Sequence, residues 1–306
     1  MDVKQNILFA KKHIVDNIYS SVKIEGIAMT FPETETIFIN GTAENKSYDD
    51  IEFVNDLKRA WQYVFDHIYD DINISTIKAL NRVSGKFTVL NSGSIRDIYD
   101  NPIRITINEK GDDWYPALPP SERIIDEQIS ELLTNNNKVD AAIDLYMYIS
   151  KGQFFNDGNK RTASLACNMY LIQNGEGLFY VSPKKHKEFL DALVMYYVED
   201  DKSNFRAYLK NNCIQTYTKI PFGQKVQGLR EEMNISRKEL SIIIGIQEQY
   251  LFDIEKGKSS PSNEVVTSLC DFFNKDNNLL SYDYQDDVIN DSEYYSDYED
   301  EQTRGR

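Results

Sequence analysis

The chain has 306 residues, is 41% hydrophobic and carries a formal net charge of -15, which allows two folded domains. No apolar run approaches the roughly eighteen residues that a bilayer span needs, and Met1-Asp2-Val3-Lys4-Gln5 lacks the pattern of a signal peptide. Cys167, Cys213 and Cys270 are few, odd in number and far apart, which argues against a zinc cluster and suits a reducing cytoplasm, the expected location.

In chain order, the first predicted element is an amphipathic helix from about Val3 to Ile24, with Ile7, Leu8, Ile14, Val15, Ile18 and Val22 on one side and Gly26 at its end. Ser21 and Glu25 are four apart and share a face of it. Apolar spacing predicts further helices over Asp56–Ile68, with Leu57, Ala60, Trp61, Val64, Phe65 and Ile68, and over Ser75–Val83, with Ile77 and Leu80. Ile103, Ile105 and Ile107 alternate behind the turn residues Asp100-Asn101-Pro102, which predicts a short β-hairpin in the segment from Gly93 to Ile107. Trp114 to Pro120 is a proline-rich connection, followed by helices over Ile124–Leu133 and Ala141–Ile149, and later over Glu188–Val198.

Between those helices lies Gly152-Gln153-Phe154-Phe155-Asn156-Asp157-Gly158-Asn159-Lys160-Arg161, a loop that runs into a helix marked by Ala163, Ala166, Cys167, Tyr170 and Leu171 and stopped by Asn174-Gly175. Unpaired N–H groups and the positive dipole end favour an anion at a helix N-terminus, and Gly158 lets backbone approach it. Arg161 has the planar fork that grips phosphate, Lys160 adds a mobile charge, and Asp157 suits Mg²⁺ held jointly with phosphates. From these letters alone, a plain turn and N-cap between packed helices is an equal alternative.

The segment resembles the signature of the Fic (Fido) family, His-Pro-Phe-x-Asp/Glu-Gly-Asn-Gly/Lys-Arg, matched in order by Phe155, Asp157, Gly158, Asn159, Lys160 and Arg161. The resemblance implies a helical bundle that transfers AMP from ATP–Mg²⁺ to a hydroxyl of a target protein. Its catalytic histidine is replaced by Gln153 and its proline by Phe154; glutamine can orient a hydroxyl but cannot accept its proton. Ser21-Val22-Lys23-Ile24-Glu25-Gly26 is similar to the Ser/Thr-x-x-x-Glu-Gly/Asn inhibitory motif of some members, whose glutamate pairs with a second arginine. That second position is Ser164 here, so Glu25 is expected to turn to Arg161 or Lys160. The predicted hairpin, with Arg96, Ile103 and Ile105, resembles the flap that holds the target segment by strand addition.

A second unit runs from about Phe222 to Phe273, with helical patterns near Lys225–Glu232, Ser236–Ile243 and Gln247–Glu255, Gly245 in the turn, and a capping box at Ser236 and Glu239. The string Ser236-Arg237-Lys238-Glu239-Leu240, Gly245-Ile246, Tyr250-Leu251 and Ile254-Glu255-Lys256-Gly257-Lys258 resembles the Cro/repressor class of helix-turn-helix modules. That resemblance implies operator DNA as partner, with Gln247 and Gln249 at base edges and Arg237 and Lys238 on phosphates. Glu248 and Asp253 oppose phosphate attraction, and a module for protein contacts or homodimer formation is the alternative. Ile242, Ile246, Leu251, Ile254, Val265, Val266 and Leu269 are its expected core.

Residues 276 to 306 hold ten Asp or Glu against Arg304 and Arg306 and offer little aliphatic surface, so this tail is expected to be disordered. It reads as a solubilising terminus or as a mimic of nucleic acid that covers a basic surface in cis. The expected architecture is all-α: an N-terminal helix with the inhibitory-like motif over 1–30, a Fic-like helical bundle with a small hairpin flap over 31–215, a helix-turn-helix domain over 222–274, and the acidic tail over 275–306. Two functions are expected from it. One is a nucleotide-binding protein adenylyltransferase, slowed by Gln153 and coupled to a DNA-binding module, as in a toxin–antitoxin arrangement. The other is a catalytically inactive, nucleotide-sensing transcriptional regulator.

Overall fold

Twelve of the fifteen residues in the helix Asn159–Gln173 are buried, so this helix has no solvent face and the rest of its unit is arranged around it. The computed structural model describes residues 2–107, 112–216 and 222–273 and divides into two units, Met1–Tyr217 and Thr218–Arg306. The expected acidic tail lies outside the described residues. In chain order the first unit contains α1 (Val3–Lys12), α2 (Ile14–Ile24), α3 (Phe31–Asn40), α4 (Tyr48–Asp66), α5 (Ile74–Ser84), β1 (Ile105–Thr106), β2 (Asp113–Trp114), α6 (Glu122–Leu133), α7 (Lys138–Gly152), α8 (Asn159–Gln173), β3 (Leu178–Phe179), α9 (His186–Glu199), α10 (Lys202–Asn212) and β4 (Ile214–Gln215). The second contains α11 (Phe222–Glu232), α12 (Arg237–Ile243), α13 (Glu248–Glu255) and α14 (Asn263–Phe273). The protein is mostly helical, as the apolar spacing predicts.

Helix α8 packs along α7 and is flanked by α5, α4 and α1. Ala163, Ala166 and Cys167 are fully buried and small, which lets neighbouring helices approach closely. Ile18, Val22, Trp61, Leu80, Ile125, Tyr146 and Phe189 belong to the same continuous core, so α1 and α2 are packed into the bundle. Each such side chain contributes about 1.5–3 kcal/mol by leaving water. Two buried asparagines fix the short sheet of β3 and β4. Asn6 exchanges two hydrogen bonds with the backbone of Gly177, both 3.0 Å, and Asn168 exchanges two with Phe179, 3.0 and 2.9 Å. Strands of two residues leave no alternation to read, so the sequence does not announce this sheet.

The structure differs from the expectation at four places. The first helix is broken at His13, whose N–H bonds back to Ala10 O while its own carbonyl takes both Asn17 N and Asn17 Nδ2. The strand pairing differs: Ile105 pairs with Trp114 and Thr106 with Asp113, so the partner strand follows Ile107 in the chain and Asp100-Asn101-Pro102 do not join the pair. Asp97 and Asp100 instead cap local backbone N–H groups, Tyr99 N on Asp97 Oδ1 and Asp97 N on Asp100 Oδ2, and this competes with strand pairing. Ile242 is 69% exposed rather than core, because the two-turn α12 turns only Leu240 and Ser241 fully inward. Apolar spacing also passes over α3, although Thr30, Pro32 and Glu33 carry its start signal as a capping box with proline in the first turn.

The second unit closes around Phe222, Val226, Leu240, Leu251, Ile254, Val265, Val266, Leu269, Cys270 and Phe273. Gly223 allows α11 to meet α13: a Cβ built there would stand 1.8 Å from Ile254 O. Gly223→Ala is therefore expected to destabilise this unit by about 3 kcal/mol, since backbone on both sides must shift. Urea unfolding followed by circular dichroism checks this, and a variant as stable as the parent would refute the close approach.

Candidate functional site

The loop between α7 and α8 is held from below by amides. Gln153 ends α7 in the left-handed region, φ 44° and ψ 52°, which costs a non-glycine residue about 1–2 kcal/mol. Asn159, the first residue of α8, donates from Nδ2 to Phe155 O at 2.7 Å and to Gln153 Oε1 at 3.1 Å, while its Oδ1 accepts from Phe155 N at 2.9 Å. Phe154 and Phe155 point into the core, Phe154 folding over Gly152 and meeting Tyr148 edge to face. Asn81 on α5 donates to Asp157 O at 2.9 Å and to Thr162 Oγ1 at 3.1 Å and accepts from Gly93 N at 2.7 Å. Nothing in the sequence pointed to Asn81, because its partners lie up to 81 residues away.

Gln153 is buried and its amide is engaged within the fold. Nε2 donates to Ser150 O at 2.6 Å and lies 3.5 Å from the Tyr197 hydroxyl, and Oε1 accepts from Asn159. Tyr197 in turn donates to Ser150 O at 2.9 Å, and burial pushes its phenol far above the ordinary range. It stays protonated and cannot replace the missing base. The three histidines are engaged elsewhere: His13 with Asp16, His67 on Tyr63 O and His186 on Pro183 O.

Arg161 is turned inward beneath the loop rather than along its rim. NH1 donates to Ser84 O at 3.0 Å, the guanidinium lies 4.9 Å from the centre of the Phe53 ring, and NH2 is 3.4 Å from Asp157 Oδ2. Its Nε is buried and has no hydrogen-bond partner among the described residues. A Cβ on Gly158, where φ is 76°, would come 3.3 Å from Arg161 NH2 and 3.1 Å from Asn81 Nδ2, so glycine serves both the turn and the close approach. Lys160 Nζ lies 3.2 Å from Glu25 Oε2 at the end of α2. Ser21 spends its hydroxyl on Asn17 O and does not reach Glu25 by a side-chain bond. The four charged groups of the site thus form two pairs, Lys160 with Glu25 and Arg161 with Asp157.

What faces outward at the start of α8 is the Asp157 side chain, 62% exposed, with Oδ1 accepting from Gly158 N at 2.5 Å, and the half-buried Lys160; Gly158, Asn159, Arg161 and Thr162 are buried. Mg²⁺ is usually held by one or two carboxylates together with ligand phosphates, so Asp157 fits an ion that arrives with a polyphosphate. Among the described residues no group of three His, Cys, Asp or Glu would hold a metal unaided. Arg96 is buried behind the flap and donates from Nε to Gln153 O at 2.5 Å and from NH2 to Ala117 O, while its N–H bonds Phe154 O. It fastens the flap to the loop instead of facing a target. Ile105 packs on the core and Ile103 is half-buried. Trp114 stacks on Tyr197 with ring centres 4.9 Å apart, so β2 and the Gln153 network share a support.

In the second unit Gln247, Gln249 and Lys238 are exposed, with Gln249 Nε2 3.1 Å from Asp253 Oδ1. Arg237 is partly tied down: Nε donates to Glu255 Oε2 at 2.9 Å and the guanidinium stacks over Phe252 at 4.9 Å. Buried Glu255 also takes Arg230 through Nε at 2.7 Å and NH2 at 3.2 Å, an arrangement that spacing along the chain did not reveal.

Replacement of Asn81 by leucine leaves Asp157 O, Gly93 N and Thr162 Oγ1 without their partner. Asn81→Leu is expected to cost on the order of 3 kcal/mol of stability in urea unfolding. An unchanged midpoint would show that the loop does not depend on this amide.

Residues 54–171 match the model of the Fic/DOC family, and residues 226–276 match a helix-turn-helix model. Among solved structures the chain is similar to a Fic domain containing signaling protein from Bacteroides thetaiotaomicron, with TM-score 0.54, 19% identity, and coverage of 69% of this chain and 91% of that one. It is also similar to Fic-1 (aa134 - 508) from C. elegans, with TM-score 0.52, 19% identity and coverage of 66% and 60%. A Fic family protein from Desulfovibrio desulfuricans gives TM-score 0.52, 15% identity and coverage of 85% and 74%. At these identities the likeness concerns the fold. No curated protein matches the chain significantly. The chain carries a Fic domain followed by a helix-turn-helix domain.

Proposed function

We propose that this protein is a DNA-binding regulator whose Fic unit binds a nucleotide, ATP–Mg²⁺ by family precedent, without transferring it. The observation that carries the reading is the state of Gln153: buried, unable to accept a proton, and hydrogen-bonded to Ser150 and Asn159. Absence of a general base removes about 10²–10⁴-fold of rate. Ligand binding is supported by the half-buried Lys160 and exposed Asp157 at the N-terminus of α8 and by the positive φ of Gly158. Operator binding is supported by the helix-turn-helix match and by exposed Gln247 and Gln249 at the start of α13. The second reading, slow adenylyl transfer to a target protein, is favoured by the retained Asp157, Asn159 and Arg161. No helix among the described residues is long and apolar enough to cross a membrane.

The test incubates the protein with α-labelled ATP and Mg²⁺, beside Glu25→Gly and Gln153→His. Neither the parent nor Glu25→Gly is expected to label any protein, whereas ATP–Mg²⁺ at a hundred times its Kd is expected to stabilise the parent by about 2.7 kcal/mol in thermal unfolding. Label transferred by the parent would replace this reading with the adenylyltransferase. Absence of any nucleotide-dependent stabilisation would remove the sensor.

A further inference from the structure

The helix-turn-helix unit is not basic as a whole: between 222 and 273 it has six Lys and Arg against eight Asp and Glu. Its cations are nevertheless concentrated. The Arg237 guanidinium lies 4.9 Å and Lys258 Nζ 5.1 Å from the centre of the same Phe252 ring. Arg237 comes from the first turn of α12, and Lys258 from the turn after α13, where its N–H bonds Asp253 O at 2.7 Å. Each cation is attracted by the negative face of the ring's quadrupole. Glu255 shares its charge between Arg237 and the buried Arg230, so it orients Arg237 without cancelling it, and the Arg237 side chain remains 27% exposed. Lys238 and Lys256, one residue from Arg237 and two from Lys258, are exposed as well. Two like charges brought together on one ring make a seat for an anionic polymer.

The same unit's sequence continues past α14 into ten carboxylates between 276 and 301, against Arg304 and Arg306. We propose that this acidic segment occupies the Arg237–Lys258 seat in cis and competes with DNA for it, a regulation that rests on the DNA-binding reading given above. Charge complementarity selects the occupant, and the tether makes it effective. Ten residues of chain reach up to about 33 Å. A domain of this size has a radius of gyration of roughly 10 Å. The segment begins three residues beyond Phe273, and a short covalent tether presents a ligand at an effective concentration on the order of millimolar. A seat that binds an acidic peptide at about 0.1 mM would then be about tenfold occupied over empty.

The experiment measures binding of a mixed-sequence DNA duplex by fluorescence anisotropy at two salt concentrations. It compares the full chain, a form with the ten tail carboxylates changed to Asn or Gln, and a form lacking 276–306. Both altered forms are expected to bind about tenfold more tightly at low salt, with the gap narrowing as salt screens the contact. In a Lys258→Glu background, or the milder Lys258→Gln, the gap is expected to shrink. A synthetic peptide of residues 276–301 is titrated in parallel onto the form lacking 276–306, and it is expected to bind there and to lose affinity with Lys258→Glu. Equal DNA affinity with and without the carboxylates, together with no peptide binding, overturns the proposal while leaving the DNA reading intact. A gap undiminished by Lys258→Glu overturns the seat. Peptide binding that depends on Lys258 in a protein that binds no DNA supports the seat and overturns the DNA reading instead.

Discussion

The side-chain amide of Asn159 is the constraint on which the first unit depends. Placed at the first residue of α8, it satisfies both the N–H and the C=O of Phe155 and the amide oxygen of Gln153. Without it, the loop that joins two central helices would bury polar backbone without partners, at about 1–3 kcal/mol for each group. Asn81 provides the same service from α5 on the opposite side. Between them these two residues fix where α7 stops and where α8 begins, and therefore where the helix N-terminus and Asp157 stand.

That loop has been drawn into the core. Gln153 is tied to Ser150 and Asn159, and Phe154 folds over Gly152, where each would be replaced in the family's signature by histidine and proline. The effect is mechanical as well as chemical. A side chain whose hydrogen bonds are all made within the protein contributes rigidity and has little left to offer a reacting hydroxyl. The charges follow the same logic, since Lys160 and Arg161 each have a carboxylate within 3.4 Å and the site is close to neutral by itself. A phosphate that binds there competes with Glu25 and Asp157 or brings a cation that satisfies Asp157.

In the second unit a single buried carboxylate organises the cations. Glu255 removed from water would cost several kcal/mol if unpaired, and Arg230 supplies the pairing through two hydrogen bonds. Burial of Glu255 in turn holds Arg237 on Phe252 at the surface. The helix-turn-helix plan was legible from Ser236, Glu239 and Gly245, because caps and turns are local and act over three or four residues. The Phe252 cluster was not, because it joins residues from two elements through a ring that reads as ordinary core.

The sequence by itself determined the helical character of both units, the loop from Gln153 to Arg161 at a helix start, and the absence of a proton acceptor at position 153. These follow from periodicity, caps and side-chain chemistry, which depend on near neighbours. Only the tertiary structure decided that Arg161 points inward to Ser84 and Phe53, that Glu25 meets Lys160 and not Arg161, that Arg96 fastens the flap, and that Asn81 supports the loop. Those contacts join residues tens of positions apart. Their geometry is set by how the helices pack around α8, and no spacing within one segment encodes that.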